Sequence, residues 1–327
     1  MLVPVVLWLA LELAAGAVLA LRDEGPGSSE WLVQAQMALQ GGFFTPDEHA
    51  LWVLSPNYRQ DASPETGDAP LVLNEHGHRG PPTTLQKPPG VRRVLVLGGS
   101  HPFGMWVSDS QVYSAVLQDL LNAAGPRRWE VLNAASPGHT TFQGRQYLAH
   151  QGLGFEPDVV VFDLGMNDDL PLAVDFAAPD HEVAAVPGWA RETANTVQTR
   201  SAVYRLLREV LARPAEALRP PDGVRVPMER RLENLAAARD LGAAHDAHVL
   251  FMSQVSVTGW NGPGAARCTF DPAEHGFQPE ADVCGLFSAL EDVAGTHFVD
   301  SVHATASGHR LIAELVFARM KEQGWLQ

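Results

Sequence analysis

From residue 91 onward the chain alternates between short apolar runs and longer segments whose apolar positions recur at helical spacing. Residues 91–97 (Val-Arg-Arg-Val-Leu-Val-Leu) form a β-rich run closed by Gly98 and Gly99, the pattern of a buried strand. In residues 109–124, Val112, Ala115, Val116, Leu120 and Leu121 fall on one face and Gly125 supplies the stop, which predicts a helix. Residues 129–135 predict a second strand and residues 141–152 a helix. Residues 157–164 are almost wholly apolar, as a central strand covered on both faces must be. A helix over 228–244 feeds a strand at 248–255, and a last strand at 296–300 precedes a helix at 306–322. Residues 170–226 interrupt this rhythm as an insertion containing one predicted helix, 197–211. Strands alternating with helices imply right-handed crossovers. The predicted fold is therefore α/β, a three-layer sandwich with a central parallel sheet flanked by helices. In such sheets the strand C-termini hold the site.

The first ninety residues follow a different pattern. Residues 2–21 are an apolar run interrupted by Pro4, Glu12 and small residues, and as a helix they would span about 30 Å, the thickness of a hydrocarbon core. A transmembrane anchor is the favoured reading. A cleaved signal peptide, with Val18 and Ala20 as small residues before the cut, is the alternative, though no Lys or Arg precedes the run. A buried core helix fits poorly because no polar face appears at helical spacing. Either of the first two readings exports the remainder to a periplasmic or cell-envelope location. Residues 22–90 are polar and rich in Pro and Gly, and read as a stalk followed by an irregular lead-in. Residues 91–327 then form the main domain.

Composition narrows the function. The chain has 327 residues with 38 acidic against 23 basic side chains, a net charge of −15. That balance argues against a nucleic-acid partner, which requires a basic face. Cys268 and Cys284 are the two cysteines. They are too few for a four-cysteine zinc site, and they suit an exported domain as a disulfide closing a loop of about 15 residues, a constraint contributing roughly 3 kcal/mol. Two unrelated buried thiols are the alternative.

The predicted strand ends are polar. The first offers Gly98, Gly99, Ser100 and His101; the second leads to Pro137 and Gly138; the third leads to Asn167, Asp168 and Asp169; the last gives Asp300 and, three residues on, His303. Brought to one sheet edge, Ser100, Gly138, Asn167 and the Asp300–His303 pair would supply a nucleophile, oxyanion donors, a base and its orienting carboxylate. Each has a plainer reading as a turn or cap residue, and only their joint occurrence points to chemistry. His101 is expected to be an ordinary polar surface residue, with a place lining the pocket beside the nucleophile as the alternative, and Asp168 and Asp169 to be solvated. His245 and His248 have metal-ligand spacing without a third ligand, while Asp300, His303 and His309 could form a metal triad; no metal is expected at either place.

These blocks resemble the SGNH, or GDSL-type, hydrolases, whose Ser, Gly, Asn and His positions match Ser100, Gly138, Asn167 and His303 in order over about residues 91–323. The chain is also similar to membrane-anchored bacterial members, with an acid in the anchor and an Asn-x-x-Gly-x-Arg-Gly lead-in at residues 74–80. One departure is Gly99, where the name-giving motif has Asp. The resemblance implies a flavodoxin-like sandwich and a cofactor-free serine esterase. Its Ser100, His303 and Asp300 would be catalytic, and Ser100, Gly138 and Asn167 would line the oxyanion hole. The implied substrates are acylated small molecules, glycans or lipids. Transfer of an O-acetyl group to a polysaccharide by the same site, or a non-catalytic scaffold of the same fold, are the alternatives.

Overall fold

The computed structural model describes residues 42–61, 70–171, 179–191, 223–258, 264–291 and 293–327, with residues 7, 8, 10–15 and 203 besides. Five strands make a wholly parallel sheet: β1 (Val91–Gly98), β2 (Arg128–Asn133), β3 (Val159–Asp163), β4 (His248–Met252) and β5 (Glu280–Ala281). Their spatial order is β5-β4-β3-β1-β2. This is the flavodoxin-like order, in which the winding reverses between β1 and β3 and opens a crevice at their C-terminal ends.

The period-two alternation of the strands sorts side chains onto two cores. Val94, Val96, Val159, Val161, Leu250 and Met252 face one way, against α1 (Tyr113–Ala123) and α4 (Ala306–Glu322). Leu95, Leu97, Val160, Phe162, Val249 and Phe251 face the other, against α2 (Thr141–His150) and α3 (Met228–Ala244). Every residue of β3 is buried, which explains its unbroken apolar run. Each such aliphatic side chain removed from water contributes roughly 1.5–3 kcal/mol. Arg93 is tolerated inside β1 because its guanidinium meets Glu130 at 3.0 Å and the carbonyls of Leu85 and Phe155 at 2.9 Å.

Several sequence expectations change. The predicted strand at 248–255 is two strands: β4 leaves the sheet at Ser253, and Gln254–Val257 pairs antiparallel with Ala266–Phe270 instead. The predicted strand at 296–300 is not formed. The Asp300 carboxylate accepts the backbone N–H groups of Val302 and His303, which turns the chain, and β5 takes the edge position beside β4. Residues 22–90 were expected to be a stalk and irregular lead-in, yet the described part holds two ribbons, Phe44–Asp47 with Leu51–Leu54 and Arg59–Gln60 with Leu71–Val72. Leu54, Leu71 and Leu73 pack there with Phe103 and Ala135, so the lead-in is seated at the C-terminal edge of the sheet.

Of the apolar run 2–21, residues 7, 8 and 10–15 are helical and the rest lies outside the described residues. Among the described residues, no helix is long and apolar enough to cross a membrane. The predicted helix at 197–211 also lies outside them, apart from residue 203. The stem of that insertion is described: Pro171 bridges Val224, and Arg225 and Val226 donate backbone bonds to Leu170 and Asp168.

Candidate active site

Gly98, the last residue of β1, is a steric necessity, and Gly99 leaves room for a neighbouring side chain. A Cβ on Gly98 would lie 2.0 Å from Pro102 Cγ and 2.7 Å from the Asp163 carbonyl oxygen. A Cβ on Gly99 would lie 2.7 Å from the side-chain amide nitrogen of Asn167. The place where the name-giving motif carries Asp is therefore filled here by the approach of Asn167. Ser100 then opens a single helical turn, Ser100–Phe103, closed by Gly104 at φ 85°.

The far end of that turn is held by two buried side chains. Asn133 Nδ2, at the tip of β2, donates to the Pro102 carbonyl at 2.9 Å. Arg79 donates to the carbonyls of Phe103 (3.0 Å), Gly104 (2.5 Å) and Val107 (2.7 Å), and to Asp109 Oδ1 (2.8 Å). A cation on the exposed carbonyls of a helical turn satisfies acceptors that the turn itself cannot. This gives the Arg of the lead-in motif a physical role: it fixes the segment that begins with Ser100.

Asp300 and His303 sit in the loop before α4. Asp300 Oδ1 accepts the N–H groups of Val302 (2.8 Å) and His303 (2.7 Å), while Oδ2 lies 2.6 Å from His303 Nδ1. His303 Nε2 lies 2.8 Å from Ser100 Oγ. A carboxylate can only accept, so Nδ1 carries the ring proton and Nε2 is left to accept from the Ser100 hydroxyl. Partial burial pushes the Asp300 carboxyl up, but the bonds from His303 and the two backbone N–H groups outweigh it and hold it at about 2. It is thus an anion throughout the neutral range.

Gly138 adopts φ 81°, a region open to glycine at little cost. The carbonyls of three successive residues in its loop are each held from a different direction. Pro137 O accepts from Trp52 Nε1 (3.4 Å), Gly138 O from Arg225 Nη1 (2.7 Å), and His139 O from Asn167 Nδ2 (2.9 Å). Among the described residues, the backbone N–H groups of Ser100 and Gly138 meet no acceptor. Asn167 has a second amide proton beyond the one given to His139. Three donors on the loops that follow β1, β2 and β3 are therefore left with a proton to give.

Two neighbours differ from expectation. Asp168 is not solvated. Its Oδ1 accepts from Thr141 N at 2.8 Å, its Oδ2 accepts from Thr141 Oγ1 at 2.6 Å, and Arg231 Nε lies 3.1 Å from Oδ2. Burial pushes its carboxyl up to about 7 against the pull of Arg231 and Thr141. This bond set ties the Asn167 turn to the start of α2. Asp169 is exposed, as expected, and pairs with Arg231. His101 is largely buried rather than an ordinary surface residue. Its ring stacks 6.5 Å from that of Phe298 and 5.8 Å from that of His309, and its Nδ1 lies 3.6 Å from Asp163 Oδ2.

The remaining candidates fall elsewhere. His309 is buried under Tyr113 and His101, apart from the Asp300–His303 pair's bond to Ser100. His245 bonds its own helix at Leu241, and His248 stacks on Trp325 at 4.6 Å. Among the described residues, no group of three His, Cys, Asp or Glu side chains could hold a metal. Cys268 and Cys284 are joined in a disulfide between the strand Ala266–Phe270 and a short helix, Val283–Ser288.

Three histidines beneath the site are held neutral by burial. It drives His78 to about 3, His139 to about 4 and His309 well below the ordinary imidazole value. The sign follows from linkage: the unfolded chain binds these protons near pH 6.5 and the folded one does not, so each imidazole removes stability as the pH falls below that point. The ring C–H NMR signals of all three are expected to stay at their neutral positions between pH 8 and pH 5. A titration midpoint near 6.5 at any of them would show that its burial is not maintained in solution.

An alpha/beta hydrolase enzyme from the metagenome of Lake Arreo is 17% identical, with 70% of this chain and 95% of that chain covered and a TM-score of 0.43. The lipase/acylhydrolase from Enterococcus faecalis is 19% identical, covering 71% and 96%, TM-score 0.34. An acetyl xylan esterase from Geobacillus stearothermophilus is 14% identical, covering 70% and 94%, TM-score 0.42. Among curated proteins, none matches. The model of the GDSL-like lipase/acylhydrolase family matches residues 96–311, two-thirds of the chain and the span from β1 to α4 that contains Ser100, Gly138, Asn167, Asp300 and His303. The chain belongs to that family of ester hydrolases.

Proposed function

We propose that the protein is an extracytoplasmic serine esterase that removes O-acyl groups, O-acetyl above all, from a glycan or lipid through an acyl-enzyme on Ser100. The observation that carries this reading is the hydrogen-bonded chain from Ser100 Oγ through His303 to Asp300. A serine hydroxyl is a weak nucleophile until a neighbouring base takes its proton. His303 Nε2 accepts that proton as Ser100 Oγ bonds to the ester carbonyl carbon, and Asp300 stabilises the resulting imidazolium. The oxygen of the tetrahedral intermediate takes the negative charge and is met by the N–H groups of Ser100 and Gly138 and by the Asn167 amide. As the carbonyl reforms, the alcohol leaves with the proton from His303. Water then enters, gives its proton to His303, and releases the acid from Ser100 by the same steps.

The exported location is part of the proposal. Its supports are the Cys268–Cys284 disulfide, which suits an oxidising compartment, and the apolar run at residues 2–21. Intact-mass measurement after exposure to a fluorophosphonate should show one adduct per chain. Aryl acetates and acetylated oligosaccharides should then be turned over at a rate that added free oligosaccharide does not change. Acylated sugar as the main product would replace the esterase reading with O-acetyl transfer, and no adduct with no turnover would leave a scaffold.

A further inference from the structure

Arg225 is fully buried, far from Gly138 in sequence, and its guanidinium reaches the Gly138 carbonyl. The same group forms a two-pronged pair with Asp180, Nε to Oδ1 at 3.1 Å and Nη2 to Oδ2 at 3.0 Å, and also donates from Nη2 to Gln143 Oε1 at 2.9 Å. Asp180 is buried as well, accepts from Thr140 Oγ1 at 2.6 Å, and donates its backbone N–H to Arg225 O at 3.0 Å. The fork is therefore fixed in its plane before it meets Gly138. Its carbon lies 5.4 Å from the ring centre of Trp52, whose Nε1 holds the Pro137 carbonyl.

The consequence is directional. In a trans peptide the C=O and N–H point opposite ways, so holding Pro137 O on the Trp52 side turns the Gly138 N–H to the other side. A glycine at positive φ is free to flip either neighbouring peptide. With Pro137 O held by Trp52 and Gly138 O held by Arg225, both peptides flanking the Gly138 Cα are fixed. Among the described residues, no hydrogen bond or ion pair joins Arg225 or Asp180 to Ser100 or His303. We propose that Arg225, locked by Asp180, is a positioning residue: by fixing the Gly138–His139 peptide it holds the Gly138 Cα against which the Trp52-held peptide aims the Gly138 N–H at the oxyanion, an inference resting on the reading of Ser100 as nucleophile and Gly138 as donor.

Two variants test it. Arg225→Lys keeps a cation opposite Asp180 without the planar fork, which an ammonium cannot reproduce. The double variant Arg225→Gln with Asp180→Asn leaves no buried charge unpaired, so it carries the test if the first fails to melt cooperatively. Both are measured on the full chain with a small aryl acetate, the rate being divided by the number of sites a fluorophosphonate titrates. A donor displaced by about 1 Å costs up to about 10²-fold in rate, so kcat per titrated site should fall about 10- to 100-fold. KM should stay within about twofold, and a boronic acid that forms a tetrahedral adduct on serine should lose affinity in proportion to kcat. Unchanged kcat per titrated site in a folded variant would overturn the inference, as would a rise in KM alone. Wild-type protein that neither labels nor turns over would remove the serine reading itself, and the inference with it.

Discussion

Replacing Ser100 with alanine is expected to abolish fluorophosphonate labelling and to lower kcat for aryl acetates by roughly 10⁴- to 10⁶-fold, the usual cost of deleting a serine nucleophile. The loss should fall on kcat with KM little changed, because the hydroxyl bonds to the substrate only as the reaction proceeds. The fold should be unaffected. Ser100 Oγ is bonded to His303 in a part-buried site, and the turn that carries it is held at its other end by Arg79 and Asn133. Melting should therefore match the wild type. Residual activity would come from the oxyanion donors and substrate binding alone. A Ser100→Ala protein that retained a tenth of wild-type kcat would overturn the acyl-enzyme reading and point to direct attack by water.

The parts of this architecture legible in the sequence are those whose signal is local. β1 and β3 are readable because a strand covered on both faces must be apolar at every position, and Val159–Asp163 is. Ser100, Gly138, Asn167 and His303 are readable because four short blocks each follow a strand or precede a helix. β5 is not readable. It is two residues, Glu280–Ala281, and exists because β4 offers it a partner. The predicted strand at 296–300 fails for the opposite reason, since one carboxylate, Asp300, turns the chain by taking two backbone N–H groups.

The supporting polar residues escape for a reason of distance. Asp168 reads as solvated until Thr141 and Arg231, remote in sequence, are seen to enclose it. Arg225 stands between Val224 and Val226 with nothing nearby to mark it, and Asp180 and Gly138 lie far upstream. Trp52 belongs to a lead-in that the composition describes as irregular. Arg79 is the intermediate case: its motif is visible, but the carbonyls it serves appear only when the turn after Ser100 is built.

His303→Ala should cost nearly as much as Ser100→Ala, and the double variant should be no worse than either single one. The two groups perform one step, transfer of the Ser100 proton to Nε2, so removing either removes the step and leaves nothing for the second deletion to take. Independent roles would instead multiply the losses. Asp300→Asn separates orientation from base strength within the same chain. The asparagine oxygen can still accept the N–H groups of Val302 and His303, so the loop keeps its turn. Its NH2 group, however, faces His303 Nδ1 with a donor where the carboxylate offered an acceptor. The ring then carries its proton on Nε2 and cannot accept from Ser100, and a wrong tautomer of this kind costs about 10⁴ in kcat. Pre-steady-state kinetics should show slowed acylation in His303→Ala and Asp300→Asn, while the double variant, which lacks the nucleophile, is compared by its residual turnover. A double variant about a thousandfold slower than either single variant would show that Ser100 and His303 act separately, and the proton relay would have to be abandoned.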